Sequence, residues 1–307
     1  MSGINKGARL NLSAAVASIS VAVILSVAKG WATWTTSSTA MLGSLADTLL
    51  DLVASVTTLV GVYVAAQPAD EDHRFGHGKA EALAAIFQVM LIAISAFSIF
   101  TRAANQLAEG ARPTGAEDGI AVSTLALVLT LALLAWQRHV LRRTGSLAIS
   151  TDHLHYKSDL LLNLAVILAL VLDRFANLPW ADATFGMGIA LWLAWGARKA
   201  SLEAIDHLMD REWPEEKKEA FLAVLAQIQE ISGVHDFRTR TAGNKDFVQF
   251  HVWLDGTMTV RAAHNVMDKI EARLKKDFPD VEMLIHPDPE GHVDSGLARP
   301  NVLEGNG

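Results

Sequence analysis

Long apolar runs constrain this chain before anything else does. Stretches that can supply the roughly 20 residues a bilayer core demands fall at about 11–33, 40–66, 81–108, 117–138, 150–174 and 181–207. Composition agrees: of 307 residues, 51% are hydrophobic and only 19% charged, too apolar a mixture for an ordinary water-soluble protein. Six membrane-spanning helices are therefore expected. Lys and Arg set their orientation. Lys6, Arg9, Arg74, Lys79, Arg138, Arg142, Arg143, Arg198 and Lys199 fall on the side shared by the N-terminus and the loops after the second and fourth spans, against Arg112 and Arg174 on the other. Both termini are thus expected in the cytoplasm, with Trp31, Trp34 and Trp180 at headgroup level. The first apolar run is too long for a signal peptide, so the N-terminus is expected to stay on the mature protein.

After Pro214 the texture becomes that of a water-soluble domain. "EEKKEAFLAVLAQIQEI" carries its apolar residues at helical spacing, "HDFRTRTAG" and "DFVQFHVWLDG" alternate as strands about an "AGNKD" turn, "TVRAAHNVMDKIEARLKKDF" is a second helix and "VEMLIH" a third strand. The expected architecture is a membrane bundle over residues 1–208, a cytoplasmic α-β-β-α-β domain over 209–290 and a disordered tail over 291–307. Composition also excludes chemistry. With no cysteine in the chain there are no disulfides and no thiolate ligands or nucleophiles, so metal chemistry falls to histidine and carboxylate. A formal charge of -7 offers no footprint for nucleic acid.

The apolar runs are interrupted in a pattern. In "SLADTLLDLVAS" Asp47 and Asp51 lie four apart, and in "STDHLHYKSDLLLN" so do His155 and Asp159, with Asp152 and Asn163 continuing the stripe. Each pair begins about eight residues into its span, roughly 12–18 Å deep at 1.5 Å per residue, so the two are expected to meet near the midplane. An isolated acid there costs about 2.5–3.5 kcal/mol, and three cost on the order of 8–10, which needs an offset. Three carboxylates and one imidazole suit a divalent ion such as Zn²⁺, with Cd²⁺, Fe²⁺ or Mn²⁺ tolerable. The competing reading has Lys29 and Lys157 neutralising the acids as structural ion pairs.

Two further clusters lie outside the spans. In the loop "PADEDHRFGHGKAE", Asp70, His73 and His77 can converge on one ion because Gly76 and Gly78 loosen the chain. The second domain holds His235, His251, His264 and His286, with Asp288 after the last; as strand residues, His235, His251 and His286 are expected at one edge. His139, His153, His207 and His292 have no partner at ligand spacing and are expected at interfaces, on the surface or in the tail. A membrane metallopeptidase is disfavoured, since no H-E-x-x-H occurs. A metal sensor with spans as anchor is the stronger rival, but it leaves the intramembrane acids unexplained.

Taken together, "DTLLD", "HYKSD", the "PADEDHRFGHGKAE" loop, "HDFRTR" and "IHPDP" resemble the cation diffusion facilitator family, most closely its YiiP-like bacterial zinc and ferrous-iron efflux transporters, over nearly the whole chain before the tail. The resemblance implies a homodimer in the bacterial inner membrane that exports divalent cations in exchange for protons, with a metallochaperone-like cytoplasmic domain. It implies a transport site at Asp47, Asp51, His155 and Asp159, where the histidine goes with zinc or cadmium, and a loop site at Asp70, His73 and His77. It also implies a two-metal site at His235, His251, His264, His286 and Asp288, bridged by Asp288, and an intersubunit salt bridge between Lys79 and Asp210. Pro287 departs from the glutamine expected between His286 and Asp288.

Overall fold

A computed structural model describes residues 6–36, 39–109, 120–176, 178, 180–243 and 245–292. Arg112 and the part of the expected tail from residue 293 onward lie outside the described residues. The chain forms two compact units, Met1–Asp206 and His207–Gly307, each taken here by itself.

The first unit is all helical: α1 (Lys6–Thr36), α2 (Thr39–Ala65), α3 (Ala80–Glu109), α4 (Ile120–Thr144), α5 (Leu147–Ala176) and α6 (Ala181–Leu208). By length and composition α1 to α4 are each apolar enough to cross a membrane. The helices α5 and α6 are of matching length, 30 and 28 residues, and α5 carries Asp152, His153, His155, Lys157 and Asp159 in two turns. A backbone with no water to bond can cross lipid only as a helix or a closed barrel. Large apolar side chains face outward, among them Val27, Ile94, Phe97 and Leu191. In water this would be an aggregating surface; against acyl chains it is the expected one.

Inside the bundle small residues replace the usual large core. Ala14, Ala15, Val62, Ala84, Val140, Ala148 and Ile149 form one buried cluster drawn from α1 to α5. Without a hydrophobic force between helices in lipid, close backbone approach supplies the packing energy. At Gly61 of α2, a Cβ would stand 2.4 Å from Ala84 Cβ of α3. The start of α5 is tied down by a buried acid: Glu81, in the first turn of α3, accepts from Ser146 Oγ (2.6 Å) and from Asn11 Nδ2 (3.2 Å).

The second unit holds α7 (Glu215–Leu225), β1 (Gly233–Ala242), β2 (Lys245–Leu254), α8 (Val260–Asp277) and β3 (Val281–Pro289). Its sheet runs β1-β2-β3, the first pair antiparallel and the second parallel. Gly243, with φ of 62°, opens the hairpin turn in a conformation that glycine adopts without a Cβ penalty. Alternation along β2 sends Val248, Phe250, Val252 and Leu254 into a core with Phe221 and Leu225 of α7 and Val266, Ile270 and Leu274 of α8. Burying a side chain such as Phe221 contributes about 1.5–3 kcal/mol. The other sheet face mixes Phe247, Gln249, His251 and Trp253 of β2 with Leu284, His286 and Asp288 of β3, and the histidines stand there.

Candidate metal centres

In the membrane unit, helices α2 and α5 bring Asp51, His155 and Asp159 together: one ligand atom from each lies within 4.8 Å of the others. His155 Nε2 is 2.8 Å from Asp51 Oδ1 and 3.8 Å from Asp159 Oδ2. Ligand atoms at the corners of a zinc tetrahedron, with bonds of about 2.0–2.2 Å, are about 3.3–3.6 Å apart, so the two separations bracket what an ion needs. Asp47 stands outside the trio. It is exposed, one turn earlier in α2. The lysines take other partners: Lys29 Nζ donates to Thr48 Oγ1 (2.6 Å) and to the Ser44 carbonyl (3.3 Å), and Lys157 Nζ sits 5.3 Å from the Trp192 ring centre.

Asp152 does not continue that stripe. It is fully buried in a network of its own, with Ser18, Thr58, Gln88 and Gln137 as partners. His153, expected at an interface or on the surface, is half-buried and pairs with Gln137 Oε1 at 3.2 Å. The signal that was available is Gln88, a lone amide in the apolar "AAIFQVMLIAI".

The loop before α3 closes on itself. Asp70 Oδ1 accepts the backbone N–H of His73 (2.6 Å) and of Asp72 (3.1 Å), an Asx turn that orients the carboxylate. The His73 N–H holds the Asp70 carboxyl below the usual carboxylate range. His73 Nδ1 is then 3.3 Å from Oδ1 and His77 Nε2 is 3.2 Å from Oδ2. The carbonyl of Pro68 accepts from His77 Nδ1 (3.1 Å), which leaves Nε2 with its lone pair toward Asp70, the arrangement of a metal-ligating imidazole. Gly76, with φ of 82°, permits the reversal.

In the second unit, sheet register does the convergence. His235 pairs with His251 and His251 with His286, so the three form a row across the sheet, and Asp288, two residues on, shares a face with His286. Asp288 Oδ2 lies 3.1 Å from His235 Nε2 and 2.9 Å from His251 Nδ1, while Oδ1 lies 3.3 Å from His286 Nε2. The ligand atoms of His235, His251 and Asp288 fall within 4.8 Å of one another. Among the described residues both ring nitrogens of His235 are buried without a hydrogen-bond partner, the 3.1 Å approach of Nε2 to Asp288 lacking hydrogen-bond geometry. A buried imidazole lone pair aimed at a carboxylate fits a cation held between them. His264 is not brought in: it is 65% exposed on α8, 3.7 Å from Asp268. Pro287 pairs with Val252 in the sheet and adds no side-chain donor.

Lys79 lies before α3 in the first unit and Asp210 opens the second, where Arg240 Nη1 is 3.6 Å from it.

Comparison with known proteins follows this division. Residues 15–209 match the family model for the cation efflux transmembrane domain, and residues 213–290 that for the cation efflux protein, cytoplasmic domain. The chain is 38% identical over 283 residues to the cation-efflux pump FieF of Escherichia coli O127:H6, covering 92% of this chain and 93% of that one. It is 39% identical over 286 residues to the FieF of Pectobacterium atrosepticum, covering 93% and 95%. A solved structure, the metal-bound C-terminal domain of the CzcD transporter from Thermotoga maritima, is similar at 29% identity and TM-score 0.25, covering 27% of this chain and all of that one. These relatives are named as pumps, transporters rather than enzymes. With both matched regions nearly abutting, and with pumps related along nine-tenths of its length, this multi-pass membrane protein belongs to the cation efflux family, the cation diffusion facilitators.

Proposed function

We propose that the chain exports a divalent metal cation, Zn²⁺ first and Fe²⁺ or Cd²⁺ as alternatives, from the cytoplasm of a bacterium across its inner membrane in exchange for protons. The observation that carries this is the meeting of Asp51, His155 and Asp159 inside a helical bundle. Acids and an imidazole at membrane depth are costly unless an ion or a proton offsets them. The relatives' designation as cation-efflux pumps supports the direction of transport.

Metal binds only to ionised carboxylate and neutral imidazole, so metal and protons compete for one set of atoms. Competition becomes exchange when the set opens to one side at a time. Alternating access then takes metal from the cytoplasm, releases it outside on protonation and returns the protons inward. Asp47 is assigned to the same site as the fourth ligand, drawn in when an ion neutralises the acids. Both termini, the loop site and the second domain are assigned to the cytoplasm, and the working unit to a homodimer in which Lys79 of one subunit pairs with Asp210 of the other. The cluster at Asp288 is assigned to resident metal, with His235, His251 and Asp288 for one ion and His286 and Asp288 for a second; His264 enters only if α8 turns.

The test is the full chain in proteoliposomes enclosing a zinc-sensitive dye, under an imposed pH gradient. Zinc-dependent fluorescence that follows the gradient and vanishes in Asp51→Ala is the expected result. Undiminished zinc binding without flux would instead make the chain a metal sensor, the reading that the His235, His251 and Asp288 cluster favours.

A further inference from the structure

The transport site leaves a buried carboxylate on its own helix unused. Asp152 has no exposed surface and lies three residues ahead of His155 on α5. Its Oδ2 accepts from Ser18 Oγ of α1 (2.5 Å) and Gln137 Nε2 of α4 (2.7 Å). Its Oδ1 accepts from Gln88 Nε2 of α3 (3.1 Å) and Thr58 Oγ1 of α2 (3.4 Å). Every partner is a neutral donor, and each of the four preceding helices contributes one. The donors are themselves held in place. Gln137 Nε2 also reaches Ser18 Oγ (3.0 Å) while its Oε1 pairs with His153 Nδ1, and Gln88 Nε2 also donates to Thr58 Oγ1. One turn on, the Tyr156 hydroxyl bonds Ser55 Oγ of α2 at 2.9 Å.

We propose that Asp152 is a positioning residue for the metal site, the pin that fixes the rotation and height of α5 so that His155 and Asp159 face Asp51. A helix held at one residue from four directions cannot turn or slide without breaking several charge-assisted hydrogen bonds where no water replaces them. The consequence lands directly on the site. Three residues along a helix are a rise of about 4.5 Å and a rotation of about 300°, so Asp152 and His155 move as one body, whereas a slip of one turn would carry His155 about 5.4 Å from Asp51. Ligand sets tolerate errors of only about 0.5 Å. The four donors also suit the ionised form, which accepts at both oxygens and donates nothing.

This proposal rests on the reading of Asp51, His155 and Asp159 as the transport site, and zinc affinity separates the two. The full chain is purified with His73, His77, His235, His251 and His286 changed to alanine, so that the membrane site alone binds zinc, and Kd is read by competition with a dye; flux is read in proteoliposomes. Asp152→Ala is expected to raise Kd and the half-saturating zinc concentration at least tenfold with maximal flux changed less than threefold. Asp152→Asn is expected to stay within threefold of the parent, with an unchanged pH profile, because the amide keeps one acceptor and, once the Gln88 amide turns over, its N–H₂ donates to Gln88 Oε1, which has no partner among the described residues. Unchanged zinc affinity in Asp152→Ala overturns the proposal. So does an Asp152→Asn variant as impaired as the alanine one with a flattened pH profile, which would make the carboxylate a proton carrier. If Asp152→Ala does not fold, Gln137→Leu removes one donor and is expected to raise Kd about threefold; no change there overturns the proposal as well. If the parent carries no flux, the transport reading fails, while the positioning role is still decided by Kd.

Discussion

His155 Nε2 of α5 lies 2.8 Å from Asp51 Oδ1 of α2, a contact between residues 104 apart in the chain and on different helices. If both hold one ion, removing either should remove most of the binding, and removing both should add little. Asp51→Asn and His155→Ala are each expected to weaken zinc binding a hundredfold or more, about 2.7 kcal/mol, and the double variant to be within tenfold of the worse single one. Zinc affinities of the three purified proteins complete the cycle. Losses that add in full would mean that the two residues do not share an ion.

The approach of α2 to α3 depends on one absent side chain. A Cβ on Gly61 would stand 2.4 Å from Ala84 Cβ and 3.3 Å from the Ala80 carbonyl oxygen. Since both neighbours are on a helix, the helices themselves must part, and overpacking of this kind costs about 1–3 kcal/mol. Gly61→Val is expected to lower the melting temperature in detergent by several degrees, with partial recovery when Ala84→Gly is added. A Gly61→Val protein that melts with the parent would show that the interface is loose.

How much of this was legible in the chain depends on the kind of fact. The four-residue spacing of Asp47 with Asp51 and of His155 with Asp159 is written in the sequence, because one helix fixes it. That Asp51 rather than Asp47 meets His155 is not, because the height at which α2 and α5 approach is set by packing between helices far apart in the chain. The same holds for Asp152: a carboxylate on a polar stripe reads alike whether it faces the ion or turns to Ser18 and Gln137. His264 is different. At about 100° per residue it lies about 160°, 120° and 80° around the helix from the buried Val266, Ile270 and Leu274, so periodicity alone takes it off the buried face. The row His235, His251 and His286 needed the register, including the shift between His235 and Arg238.

The loop around Asp70 should respond to acid in two stages. The His73 N–H lowers the Asp70 carboxyl below its ordinary value, so its support for the turn is fully present above the ordinary carboxylate range and is lost only as pH falls through the lowered value. Metal leaves earlier, as the imidazoles take up protons. Limited proteolysis between residues 66 and 79 of the metal-free chain is therefore expected to be the same at pH 7 and pH 5 and to rise only in stronger acid. Asp70→Asn should cut readily at every pH. Equal rates for the variant and the parent at pH 7 would show that Asp70 does not hold the turn.

Asp288 and His264 make opposite predictions within one small domain. Asp288 is buried and faces three imidazoles at 2.9–3.3 Å, so a metal there cannot do without it. Its loss also leaves His235 buried with two unpartnered nitrogens and no carboxylate to face. His264 is exposed on α8 beside Asp268. Equilibrium dialysis of the full chain against zinc, with metal counted by atomic emission, is expected to find at least one ion fewer per chain in Asp288→Ala and the parent number in His264→Ala. If His264→Ala also loses an ion, α8 must turn to bring that imidazole to Asp288 when metal is present, and the second ion of the pair acquires the ligand that Pro287 cannot supply.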